Sequence, residues 1–226
     1  MLNEKILKKL LHVQKPARYT GGEYGIPNKD FKNTDIRFAL VFPEIYEIGM
    51  SNVAIKILYS SLNSQPDISC ERVFHPWPDF EEVLKEEDFP LYSLETFTPV
   101  KEFDIIGFTI PYEILYTNVL NILKLSKIPL RRENRDENHP IILASGNGIT
   151  NPEPMLPFID VFFFGDGDII TTEIARTLKN GKTKQDKLLK LSKIQGIYIP
   201  ELNNNPVDRY IEKDLDSIDG VQNFPV

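Results

Sequence analysis

The stretch that decides the fold is "IRFALVFPEIYEIGMSNVAIKILYSSLN", residues 36–63. Its opening, "IRFALVF" (36–42), is a near-continuous apolar run, as expected of a strand buried on both faces of a parallel sheet. Its close places Ile55, Leu58, Tyr59 and Leu62 at i, i+3, i+4 and i+7, which is one stripe of an amphipathic helix. Between them lies a charged turn, with Glu44, Tyr46 and Gly49 in the spacing E-x-Y-x-x-G. A strand, a charged turn and a helix in that order is where many α/β proteins hold a ligand.

Working outward, the alternation repeats. "CERVFHP" (70–76) reads as a weaker strand and "DFEEVLKEED" (79–88) as a short acidic helix, with "LYSLET" (91–96) as another short strand. "FDIIGFTI" (103–110) is a strong buried strand, followed by a helix over 113–128 with Leu115, Val119, Ile122 and Leu123 on one side. "PIILASGNG" (140–148) and "DVFFFGDGD" (160–168) are each a strand ending in a glycine turn. A helix over 168–181 follows, with Asp168 as its N-cap and Gly181 as its stop. The tail holds "DKLLKLSKI" and a strand "GIYIP". Upstream, Ile6, Leu7, Leu10 and Leu11 mark a short helix closed by Pro16, and "RYTGGEYGIPNKDF" reads as an ordered arm.

This order specifies an α/β fold. We expect a doubly wound, mostly parallel, five-stranded flavodoxin-like (Rossmann-like) sheet with an N-terminal arm and a C-terminal extension. The expected strand order, 2-1-3-4-5, is the prior for the class.

Composition narrows the function. The 226 residues suit one large domain with arms, and 41% hydrophobic content is enough for a core. A net charge of -7 disfavours a nucleic-acid face. The single cysteine, Cys70, excludes an internal disulfide framework and any multi-cysteine metal or cluster site, which fits a cytoplasmic setting. The charged N-terminus has no secretory apolar core, and no stretch reaches the roughly 18 apolar residues of a membrane span.

The turns after the strong strands are "PEIYEIGMSN", "GFTIPYE", "ASGNGITNPEP" and "FGDGDII", and the fold should bring them to one edge. Three carry glycine, which admits a ligand close to backbone amides, although any one glycine turn is also ordinary strand-to-helix geometry. A dinucleotide fingerprint is incomplete, since "SGNGIT" and "GDGDII" offer only G-x-G, and no phosphate-binding G-K-[ST] occurs. Asp166 and Asp168, flanking Gly167, read as a metal or acid–base pair or, more simply, as helix caps. His12, His75 and His139 are scattered, without ligand spacing.

Taken together, "RYTGGE" (18–23), "FPEIYEIGMSN" (42–52), "ERVFHPWPDFE", "PLYSLET", "FDIIGFTIPYEILYTNVLNILKLSKIPL", "NPEPMLPFID" and "FFFGDGD" resemble the N-terminal cobalamin-binding domain of a radical-SAM protein family over about residues 18–200. The resemblance implies cobalamin held for methyl transfer or a radical step in a partner catalytic domain. It implies contacts from Glu44, Tyr46, Gly49, Ser51, Thr109, Tyr112, Ser145, Gly146, Gly148, Gly165 and Gly167, with no catalytic or metal residue of the chain's own. The cobalamin loop of such domains is D-x-H-x-x-G, so Tyr46 stands where histidine would ligate cobalt. A protonated phenol is a poor ligand, and Tyr46 would instead pack on the corrin or bind a water below it. Gly49 and Ser51 would admit the nucleotide tail.

Residues 1–35 would be a helix and arm, 36–181 the cobalamin-binding-like domain, and 182–226 an extension or linker toward a catalytic domain. The cluster-binding Cys-x3-Cys-x2-Cys is absent, so an iron–sulfur cluster and S-adenosylmethionine would belong to that partner, in cis or as a separate chain. The chain would then be a fragment, a split subunit or a degenerate product. Two other readings stay open: a cofactor-free interaction module, and an unrelated nucleotide or small-molecule binder on the same fold.

Overall fold

A computed structural model describes residues 4–27, 29, 34–167, 170–202, 207–213, 224 and 225. The expected N-cap at Asp168 lies outside the described residues.

The sheet is built from β1 (Ile36–Phe42), β2 (Ile68–Phe74), β3 (Ile105–Thr109), β4 (Ile141–Ser145), β5 (Val161–Phe163) and β6 (Ile197–Tyr198), in the order β2-β1-β3-β4-β5-β6. The first five strands run parallel, and their arrangement is the flavodoxin-like one expected. The sheet has six strands rather than five because the tail returns to pair β6 antiparallel with β5, Phe163 opposite Ile197. Segments expected in the C-terminal extension thus complete the sheet.

Seven helices accompany it among the described residues: α1 (Glu4–Leu10), α2 (Tyr46–Ser51), α3 (Val53–Ser64), α4 (Pro78–Glu86), α5 (Tyr116–Leu125), α6 (Ile170–Lys179) and α7 (Lys184–Leu191). Alternation along β1 divides the core. Phe38, Leu40 and Phe42 pack with Leu58, Leu62, Ile174 and Leu191 under α3, α6 and α7. Ala39 and Val41 pack with Phe80, Val119 and Ile122 under α4 and α5. Both faces are roofed, which is why β1 and β2 carry so little solvent exposure.

Local chemistry explains where elements differ from expectation. The charged turn after β1 is itself the short helix α2, and Asn52 separates it from α3 by accepting a hydrogen bond from the Ile55 amide at 3.3 Å. In α1 only Ile6 and Leu10 are buried, while Leu7 and Leu11 face outward. The helix expected over 113–128 begins as a tight turn at Glu113–Leu115 and ends once Lys127 takes a left-handed φ of 57°. The strand expected at 91–96 does not form. Phe97 at φ 59° turns the chain back on itself, so the Ser93 amide donates to the Thr98 carbonyl at 3.0 Å and Val100 to Leu91 at 2.9 Å. Tyr92 opposite Pro99 is the bridge that remains.

Candidate functional site

The chain moves from β1 outward to β2 and then back across to β3, so the strand order reverses between β1 and β3. The carboxyl ends of those strands are where such a fold places a ligand crevice. The residues singled out in the sequence fall there into three groups.

The turns after β3 and β4 form one block. The Ile110 amide donates to the Ser145 carbonyl at 2.8 Å, and the Gly148 amide donates to the Ile110 carbonyl at 2.9 Å. Gly146, at φ 104°, lies so close to Ile110 that an added Cβ would sit 2.5 Å from its carbonyl oxygen. At Gly148 a Cβ would come within 2.8 Å of the Tyr112 backbone. Thr109 is buried, with a hydroxyl that has no hydrogen-bond partner, whereas Tyr112 is 66% exposed. The Ser145 hydroxyl reaches the Phe108 carbonyl at 3.5 Å.

Beyond β1 the contacts turn toward β2. The Glu44 carbonyl accepts from the His75 amide at 2.9 Å, and the Glu44 carboxylate accepts from the Ile45 amide. Tyr46 donates its hydroxyl to Glu23 at 3.0 Å and sets its ring edge-on to Phe74 at 5.5 Å. Burial, reinforced by Glu23, pushes the Tyr46 phenol up to about 12. Gly49 packs on the Phe74 ring with no room for a Cβ, and the exposed Ser51 donates back to the Ile48 carbonyl. Within α2, burial works to raise the Glu47 carboxyl, but Arg18 and Lys15 outweigh it and hold it at about 2.

The third group follows β5. Gly165 bridges to Tyr210, and a Cβ there would stand 2.4 Å from the Tyr210 carbonyl oxygen. Gly167 accepts from the Thr171 hydroxyl at the start of α6. Asp166, read from sequence as a metal or acid–base group or a cap, pairs with Arg209 at 3.2 Å.

A cobalamin site needs these glycine faces open to the cofactor. Gly146, Gly148 and Gly165 instead lie against the chain's own backbone. The glycine cradle as arranged does not fit a corrin with its nucleotide tail, and we derive no step through that cofactor.

Sequence reasoning missed the densest chemistry, which lies beside β2. Arg72 is fully buried. Its Nε donates to Glu95 at 2.6 Å, its backbone amide donates to the other Glu95 oxygen at 2.8 Å, and its guanidinium stands 3.2 Å from Glu23. The same guanidinium donates to the Met50 sulfur at 3.0 Å and lies 5.5 Å over the Tyr59 ring. Burial works to lower the pKa of the arginine, but Glu95 and Glu23 outweigh it and hold the guanidinium firmly charged. The neighbouring Glu71 accepts from Ser93 at 2.6 Å and Thr96 at 2.8 Å. Burial first, then Glu95, raises the Glu71 carboxyl to about 7. The motifs "RYTGGE", "YEIGMS", "ERVF" and "SLET" therefore meet through Glu23, Tyr46, Met50, Glu71, Arg72, Ser93 and Glu95 in one internal network. The signal in the sequence was the adjacent Glu-Arg pair inside a buried strand, since buried charges demand partners.

Chemically, this arrangement binds loops together. Among the described residues no group of three or more His, Cys, Asp or Glu is placed to hold a metal ion. No described helix is long and apolar enough to cross a membrane.

Comparison with known proteins gives this geometry a context. The chain is 25% identical over 181 residues to an uncharacterised protein of Methanocaldococcus jannaschii, an alignment covering 78% of this chain and 32% of that protein. The chain thus spans about a third of that relative's length. No solved structure matches. The family described as radical SAM proteins, N-terminal, matches residues 54–200, well over half of the chain and every strand of the sheet after β1. The chain belongs to this N-terminal family of radical SAM proteins.

Proposed function

We propose that this chain is the N-terminal module of a radical-SAM-type enzyme and that it supports a catalytic domain through the carboxyl edge of its sheet, with no chemistry of its own. The observation that carries this reading is the placement of exposed apolar side chains. Ile48 and Val53 follow β1, and Tyr112 and Ile114 follow β3, so they flank the point where the strand order reverses. Val53 is 61% and Ile114 83% exposed. The Arg72 network reaches this edge at α2, where Met50 accepts from Arg72 and Tyr46 donates to Glu23. Family membership supports a radical-SAM catalytic domain as the occupant. Binding in cis or in trans uses the same face.

Hydrogen exchange of the chain, alone and with a separately expressed radical-SAM catalytic domain of the same family, tests this. Slower exchange over 44–53 and 110–116 is expected, and Ile114→Glu should abolish it. Protection confined to α6 and α7, or no complex at all, overturns the assignment.

Cobalamin is the second reading. It is favoured by the buried Thr109 hydroxyl, which has no partner at the crevice, and opposed by the filled glycine faces. Mixing the chain with hydroxocobalamin and recording a visible spectrum after gel filtration separates the two. A colourless fraction is expected, and red colour retained on the protein replaces the cofactor-free reading.

A further inference from the structure

Outside the crevice, the edge strand β2 borders a cavity of about 320 Å³ whose lining includes Lys29, Tyr59, Asn63, Glu71, Glu95 and Thr96. Water in the liquid takes about 30 Å³ per molecule, so there is room for a ligand of several heavy atoms. Most of the polar groups on this wall are committed. Lys29 donates to the carbonyls of Gln65 and Ile68. The Asn63 amide spans the Cys70 backbone, accepting from its nitrogen at 3.1 Å and donating to its oxygen at 3.0 Å. Glu95 is held by Arg72.

Two groups are exceptions, the Tyr59 hydroxyl, which is buried without a partner, and Glu71. Glu71 is 1% exposed, and its Oε2 takes the hydroxyls of Ser93 and Thr96. Its Oε1 is buried and has no partner. A buried carboxylate oxygen without a donor is costly and is best met by a charged one. The surrounding charges point the same way. Glu23, Glu71 and Glu95 stand against Arg72 and Lys29, an excess of one anion. An anionic ligand would add to that excess. A metal ion would lack its ligand set, since no cluster of three acidic, histidine or cysteine groups occurs among the described residues.

We propose that the cavity beside β2 is a binding site for a small organic cation, an alkylammonium or guanidinium group whose N–H donates to Glu71 Oε1. Nothing in this site depends on the catalytic-domain reading, because it lies on the outer edge of the sheet.

Calorimetric titration with putrescine and methylguanidinium, with succinate as the anionic control, tests the assignment. Saturable one-to-one binding of at least one cation is expected at pH 8, where the Glu71 carboxyl, raised to about 7, is mostly ionised. The groups facing Glu71 are Ser93, Thr96 and Glu95 from the folded-back loop, Lys29 from the arm, Tyr59 from α3, and Cys70 and Arg72 on its own strand. Burial lifts the Tyr59 phenol and the Cys70 thiol, so both stay neutral through this range, and Arg72 stays charged. Affinity should therefore fall about tenfold at pH 6, in proportion to the ionised fraction of one such carboxyl. Glu71→Gln should lose about tenfold or more, while Glu153→Gln, at an exposed turn after β4, should lose nothing. No saturable heat with either cation overturns the proposal, as do equal affinity at the two pH values, unchanged binding in Glu71→Gln, or tighter binding of succinate. If Glu71→Gln does not fold, the pH comparison on the natural chain decides.

Discussion

Replacing Arg72 by methionine isolates the network that joins the motif segments. Methionine is unbranched, close in length and apolar, so it fills most of the space and removes the charge. Left behind are Glu23 and Glu95, whose side chains are 11% and 6% exposed, with their shared counter-charge gone. Breaking a buried pair by deleting one partner costs about 3–5 kcal/mol. Arg72 serves two carboxylates and also donates to Met50, which places the expected loss near the top of that range at pH 8. A domain holds only about 5–15 kcal/mol in total, so the variant should fold with little margin and lose on the order of 10 °C in Tm.

The loss should also depend on pH in a definite sense. In the variant, Glu95 stays buried without its counter-charge, and that burial raises its folded-state pKa above the unfolded value. Protonation then relieves the strain, so the deficit is largest above the raised value and shrinks as pH falls toward about 5, by about 1.4 kcal/mol per pKa unit. Urea unfolding followed by the fluorescence of the single tryptophan, Trp77, at pH 8 and pH 5 measures this. The double variant Arg72→Met/Glu95→Leu should recover part of the loss, because an apolar group replaces a stranded charge. A cost below about 1 kcal/mol, or one that is the same at both pH values, would refute the view that these motifs are bound together by buried charge.

Gly146→Ala should destabilise the chain by about 1–3 kcal/mol in urea unfolding, since its Cβ collides with the Ile110 carbonyl at a backbone φ of 104°; unchanged stability would mean that this face is open after all. Glu71 has a folded pKa of about 7, raised from 4.5, so its contribution is fully present below 4.5 and is lost as pH rises through 7. That amounts to about 3 kcal/mol, which Glu71→Gln should convert into a flatter stability profile between pH 5 and 8. Glu47 acts oppositely: its pKa is depressed to about 2, so its stabilisation is present above 4.5 and lost as pH falls, and because it is well exposed the pH-dependent loss should stay under about 1 kcal/mol. Cys70 is buried and its thiol is raised well above the usual range, so iodoacetamide should label it only in denaturant; rapid labelling of the folded chain would contradict the packing of β2.

The sequence by itself determined the parallel part of the sheet, because its signals are local. "IRFALVF" is β1 to the residue, and the stripe Ile55, Leu58, Tyr59 and Leu62 is the buried face of α3. A strand roofed on both sides and a helix roofed on one must record that burial in their own composition and period. The class prior for strand order also held, since a right-handed crossover leaves few alternatives. What only the tertiary structure decided is pairing between distant segments. Nothing near Arg72 in the chain announces that Glu23 and Glu95 close on it, nor that Phe97 turns the expected strand at 91–96 back to deliver Ser93 and Thr96 to Glu71. The glycines were legible as close approaches, but the approaching group was not: Gly146 and Gly148 meet the turn after β3, and Gly165 meets Tyr210. A missing side chain fixes only that space is needed, and which atoms fill it follows from the path of the whole chain.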